Sequence, residues 1–291
     1  MATADLSAPA PVAAPARPPA GPGLGSRLAT TAGDALVTLG DWSAFAARAV
    51  SGTVTRHLKA GELVTACVTV GVNSLGVISI TGLFIGMVLA VQAYNELHQV
   101  GLDTSLGAII HMSVVRELGP VLTAVMLAGR VGSAMAAQLG TMRVTEQIDA
   151  LACLGVDPVR FLATPRFLAA ILMVPLLTVF ADLMGLFGST FICLRVYQIE
   201  PYHYWRHTQN FVGPWDVGVG LVKSVAFGGV VALIACHRGF HSRAGAEGVG
   251  RAATESFVAS FVVILALDFV MAMFLNALTD ALWPHTGVRM V

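Results

Sequence analysis

Charge is scarce in this chain: Asp, Glu, Lys and Arg make up 12% of its 291 residues, about half the share usual in a soluble domain. Hydrophobic residues make up 56%, with a mean hydropathy of +0.75, which excludes an ordinary soluble domain and points to an integral membrane protein. The 17 basic and 17 acidic residues cancel. No stretch interleaves aromatic with basic residues, so nothing marks a nucleic-acid partner. Lysine is nearly absent. Lys59 follows Leu58 and Lys223 follows Val222, so the Gly-Lys-Ser/Thr end of a phosphate-binding loop is missing and the chain cannot hydrolyse ATP by that route. The four cysteines, Cys67, Cys153, Cys193 and Cys236, make no CxxC or Cys/His cluster and read as small core residues. No HExxH or GxSxG occurs. The pairs His203/His207 and His237/His241 are each four apart but lack an acidic ligand, so no metal site is expected.

Residues 1–30 are dominated by Ala and Pro without an apolar run, which predicts a disordered tail ahead of a membrane domain over 31–291. The tail lacks the basic start and apolar stretch of a signal peptide, so the N-terminus is expected in the cytoplasm. Hydropathy then predicts five spans, near 73–95, 106–130, 166–192, 216–236 and 255–280. Ahead of them, 34–52 places Leu36, Leu39, Phe45 and Val50 at helical spacing among charges, as in a helix lying in the membrane interface. The apolar stretch 61–72 fits either a separate helix or an extension of the first span.

Basic residues set the orientation. Eleven (Arg17, Arg27, Arg48, Arg56, Lys59, Arg143, Arg160, Arg166, Arg238, Arg243, Arg251) fall on the side of the N-terminus against three (Arg195, Arg206, Arg289) on the other. That bias puts the N-terminus inside and the C-terminus outside. The second span carries small residues at every fourth position, Ala124, Ala128, Gly132, Ala136 and Gly140, and the first carries Gly82 and Gly86. Such rows admit a second helix backbone, within the chain or across a dimer. Arg116 and Glu117 lie roughly 15 to 18 Å into the second span. Asp182, Lys223 and Asp268 sit at comparable depths in the third, fourth and fifth. Unpaired charges there are costly, so these groups either pair across helices or line a polar patch beside a substrate cavity. Depth alone would pair Arg116 with Asp268 or Asp182.

Between the second and third spans stands GTMRVTEQIDALACLGVDP (140–158). Thr145 reads as an N-cap, Glu146 as a first-turn acid, Gly155 as a left-handed C-terminal residue and Pro158 as a stop. The helix so bounded is about ten residues, roughly 15 Å, too short to cross a bilayer. It lies at the cytoplasmic surface or docks a cytoplasmic partner.

The runs RELGPVLTAVMLAGRVGSAMAAQLGTMRVTEQIDALACLGVDPVRFLATPR (116–166) and GAEGVGRAATESFVASFVVILALDF (245–269) closely resemble the MlaE/YrbE family of ABC-transporter permeases, with AGRVG and GVDP resembling the MlaE branch. The resemblance covers about 35–280 and departs at Ala152 and Cys153. It implies an all-α permease of the bacterial inner membrane that dimerises, binds a cytoplasmic ABC ATPase carrying ATP and Mg, holds no cofactor itself, and moves phospholipid to or from a periplasmic MCE-domain protein. It also implies that Thr145, Glu146, Gln147, Ile148, Asp149, Ala150 and Leu151 form the ATPase-coupling helix. Arg116 and Glu117 would then border a lipid cavity walled by the first span through Leu83, Met87, Val91 and Tyr94. The alternative is a secondary transporter whose intramembrane acids Glu117, Asp182 and Asp268 carry protons or cations.

Overall fold

The computed structural model describes residues 37, 40–53, 60–99, 101 and 105–282; the tail expected over 1–30, with Leu36 and Leu39, lies outside them. Every regular element among the described residues is helical. In chain order these are α1 (40–53), α2 (Ala60–His98), α3 (Leu106–Val144), α4 (Gln147–Cys153), α5 (Val159–Val196), α6 (Pro201–Phe211), α7 (Pro214–Phe240) and α8 (Gly245–Leu282). Five of them, α2, α3, α5, α7 and α8, are long and apolar enough to cross a membrane, in agreement with the five expected spans.

The spans outrun their apolar windows. α2 and α3 each have 39 residues, about 58 Å against roughly 30 Å of hydrocarbon. Hydropathy stops where the lipid would stop, whereas the backbone ladder continues. Residues 61–72 are accordingly an extension of the first span, joined through a π turn at Val68–Val72. α3 contains two more π turns, at Val114–Leu118 and Ala128–Gly132. The first precedes Pro120, which has no N–H to offer the carbonyl one turn back. The Gly119 N–H reaches Val114 O instead, widening the turn. Each wide turn carries charge: Arg116 and Glu117 in one, Arg130 in the other.

α7 is the innermost span, with 72% of its most apolar window buried against 17% for α8. Its glycines let it sit deep: Gly220 backs onto Val115 O, Gly228 onto Ala170 O and Gly239 onto Ala136 O. The row Ala124, Ala128, Gly132, Ala136 and Gly140 is buried within the single chain. Gly132 faces Val231 and Ala235 of α7, and Gly140 faces Ser242 and Val249. The close approach on this face therefore serves α7 and α8 of the same chain. α2 turns the other way, with Gly82 and Gly86 against the backbones of Ala181 and Gly185 in α5.

α1 packs through residues spaced one turn apart. Phe45 meets His237 and Phe240 edge-on at 5.4 and 5.5 Å. Thr164 Oγ1 donates to Ala49 O at 3.0 Å. Val50 stays exposed on the opposite face. α6 is pinned at the other end of the bundle by Tyr204, whose buried hydroxyl pairs with His111 Nε2 at 3.0 Å. Burial pushes that phenol up to about 12, so it stays protonated.

Candidate functional site

Charged residues from three spans meet in one cluster. Lys223, fully buried in α7, lies between Glu117 of α3 and Asp268 of α8, with Nζ 3.0 Å from Asp268 Oδ1 and an ion pair to Glu117. Arg116 Nη1 approaches Asp216 Oδ1 at 3.4 Å, and its Nη2 donates to Asn276 Oδ1. Asp216 Oδ2 accepts the Gly213 N–H at 2.9 Å, so one carboxylate both starts α7 and anchors the arginine. Two cations thus face three carboxylates. The cations are covered, and the accessible group is Glu117, whose side chain is 40% exposed.

Depth alone misassigned the arginine: Arg116 pairs with Asp216 and Asn276, not with Asp268 or Asp182. Depth cannot see azimuth, and the π turn rotates Arg116 toward α7 and α8. Asp182 stands apart from the cluster, buried against Gly119, with Oδ1 lacking a hydrogen-bond partner. Sequence reasoning passes over Asp216, Asn276 and Arg130. Asp216 was detectable as the third residue of a Pro-started helix, and Arg130 as a lone charge in an apolar run.

Of the expected cavity residues on α2, Leu83 and Met87 pack on Gly188 of α5, and Tyr94 stacks on Tyr197 at 3.7 Å. Val91 is exposed. The two halves of that expected set therefore have different neighbours: α5 and the chain after it for the apolar residues, α7 and α8 for Arg116 and Glu117.

Beyond the far end of α3, the short helix is Gln147–Cys153. It is shorter than expected because Thr145 does not cap it: its hydroxyl donates back to Thr141 O at 2.9 Å. The N-cap position is taken by Glu146, in the left-handed region at φ 60°. The chain reverses there, so Glu146 lies outside the first turn. At the other end Gly155 has φ +75°, as its position requires, and Asp157 Oδ1 accepts the Val159 N–H at 3.0 Å. Ile148 is buried, while Gln147, Asp149, Ala150 and Leu154 are exposed, Leu154 by 77%. Arg143 pairs with Asp149 across the bend.

A five-span helical bundle with an ion cluster among its spans is the architecture of a multi-pass membrane protein. The description "Permease MlaE" matches residues 63–274. A probable ABC transporter permease of Synechocystis is 43% identical over 203 residues, 70% of this chain and 77% of that protein. A probable ABC transporter permease of Rickettsia felis is 37% identical over 234 residues, 80% of this chain and 90% of that protein. The intermembrane phospholipid transport system permease protein MlaE of Haemophilus influenzae is 38% identical over 202 residues, 69% of this chain and 77% of that protein. The chain belongs to the MlaE permease family and is a multi-pass ABC-transporter permease.

Proposed function

We propose that this permease moves phospholipid between the bacterial inner membrane and a periplasmic MCE-domain assembly, as a homodimer driven by a separate cytoplasmic ABC ATPase that carries the ATP and Mg. The observation that carries this reading is the ion cluster inside the spans of a chain similar to a phospholipid-transport permease. Its accessible Glu117 suits the amine of a lipid headgroup, and Arg116 beside it, largely covered and held by Asp216 and Asn276, keeps further N–H donors for the phosphate. Leu83, Met87, Val91 and Tyr94 are proposed to contact acyl chains where a second copy completes the cavity. The N-terminus is placed in the cytoplasm and the C-terminus in the periplasm, which puts α4 on the cytoplasmic side.

There α4, with exposed Leu154 beside Glu146 and Asp149, offers a partner a small mixed apolar and acidic surface. ATP-driven closure of two ATPases would press on it and tilt α3 and α5, narrowing the lipid cavity. Nucleotide can shift that equilibrium only through different affinities for the two states, so α4 must transmit the difference. The test is ATPase turnover and assembly of the reconstituted complex carrying Glu146→Ala with Asp149→Ala. Both are expected to fall, and wild-type values for both would remove the coupling role. The secondary-transporter reading is disfavoured because Glu117 and Asp268 share Lys223, which leaves Asp182 as its carrier. Transport without any ATPase would restore it.

A further inference from the structure

We propose that α6 is a lipid-surface helix: the face it turns away from the bundle, carrying Tyr202, Trp205 and Arg206, seats in the headgroup layer of the outer leaflet. Which leaflet it meets rests on the orientation proposed above; the depth does not.

The inner face of α6 is fixed first. Tyr204 is fully buried and Thr208 nearly so, and both press on Gly107 at the start of α3, where an added Cβ would stand 2.8 Å from the Tyr204 ring and 2.6 Å from Thr208 Oγ1. The Tyr204 hydroxyl reaches Thr190 Oγ1 of α5 at 3.3 Å as well as His111. A helix held at these points cannot roll. Its opposite face is then set by helical spacing: Tyr202, Trp205, Arg206 and Gln209 fall at i, i+3, i+4 and i+7, and each is exposed.

Depth follows from the connections. Residues 197–200 lead from α5 into α6, and 212–213 lead from it into α7, segments that reach at most about 14 and 7 Å. α7 has 27 residues, about 40 Å of helix, which matches a bilayer measured across both headgroup layers, roughly 40 to 45 Å. Pro214, its first residue, therefore stands in a headgroup layer, with α6 close before it. On α5 the exposed side chains Phe187, Phe191 and Val196 stay apolar to the end of the helix, so the acyl region gives way to the headgroups near the start of the connection to α6.

The chemistry of the outward face suits that level. Tyr and Trp rings are amphipathic and collect where membrane meets water. Tyr202 is 62% exposed and Trp205 45%. Arg206 lies over the Tyr202 ring at 5.8 Å and donates to its hydroxyl at 3.1 Å. No carboxylate among the described residues pairs with Arg206, which leaves N–H donors for a lipid phosphate. Acyl chains would not accommodate this arginine, and bulk water offers nothing to the two rings; a headgroup layer serves both.

The experiment measures the depth of Trp205. The chain has four tryptophans, so Trp42→Phe, Trp215→Phe and Trp283→Phe leave it as the one indole of the full-length permease. This protein is placed in phosphatidylethanolamine–phosphatidylglycerol vesicles whose lipid carries bromine either near the headgroup end of the acyl chain or near its methyl end. Headgroup-end bromine is expected to quench Trp205 about twofold more than methyl-end bromine, as for a ring held within roughly 5 to 10 Å of the headgroup boundary. Arg206→Glu, which sets a carboxylate against the lipid phosphates, should lower that quenching and raise quenching by aqueous acrylamide, with the unfolding temperature unchanged because Tyr204 still holds the helix. A second measurement keeps every tryptophan: Tyr202 replaced by p-benzoylphenylalanine in the complex purified from native membrane should cross-link to phospholipid. Methyl-end bromine quenching as strongly as headgroup-end bromine, acrylamide quenching as complete as for a free tryptophan analogue, or cross-linking at Tyr202 to a protein in place of lipid overturns the proposal. The vesicle readouts use no ATPase, so failure of the permease to bring down an ATPase would overturn the proposed function and leave the depth of α6 standing.

Discussion

Arg116 and Arg130 stand on one helix, each in a π turn, fourteen positions apart by number, yet their surroundings are opposite. Arg116 is tied to Asp216 and Asn276 and lies beside the buried Lys223. Arg130 is exposed, with Ser74 as its one hydrogen-bond partner among the described residues. Charge within a span thus takes two forms in this protein. Compensated charge joins helices at Arg116 and Lys223, whereas Arg130 has no ion-pair partner among the described residues.

The largest effect should come from breaking the compensated side. Lys223→Ala leaves Glu117 and Asp268 without their shared cation, a loss of about 3 to 5 kcal/mol. It should appear as a lowered unfolding temperature followed by tryptophan fluorescence in detergent. Combining Lys223→Met with Glu117→Gln and Asp268→Asn should recover most of it; no recovery would mean that Lys223 supports the fold by packing rather than charge. Arg116→Gln comes next, at about 1.5 to 3 kcal/mol, since it strips the charge-assisted partner from the fully buried Asp216. An unchanged midpoint would show that Gly213 alone satisfies that carboxylate. Asp149→Asn should change stability by less than about 1 kcal/mol, because its pair with Arg143 is exposed, while ATPase turnover of the complex falls. The smallest effect on stability is expected for Arg130→Gln, below about 0.5 kcal/mol. A large loss of stability there would erase the contrast between the two arginines.

Much of this is legible in the sequence. Apolar runs of spanning length fixed the number of spans. Gly155 and Pro158 marked the end of α4 because left-handed backbone and a missing N–H have few substitutes. Its beginning was misread: a threonine before an acid looks like a cap, but Thr145 still belongs to the hydrogen-bond ladder of α3. The turn is made by Glu146 at positive φ, a conformation non-glycine residues seldom take. Pairing was the least legible, since apolar length reports depth and not rotation. π turns change rotation without changing composition, so nothing in the hydropathy marks Asp216 as the partner of Arg116. The small-residue row on α3 announced a close neighbour but not which one. The identity of α7 follows from its own glycines, Gly220, Gly228 and Gly239, at points where backbone atoms of other helices approach.

α3 runs unbroken from Leu106 to Val144, with α4 folded back at its foot. It can be regarded as a lever whose shaft carries both arginines. Arg130 stands about 21 Å from the foot and Arg116 about 42 Å. A tilt of roughly 5° about the foot would carry Arg130 by about 2 Å and Arg116 by about 4 Å, against hydrogen-bond reach that ends near 3.2 Å. Small displacements at α4 would therefore be geared up along the shaft, moving Arg116 about twice as far as Arg130.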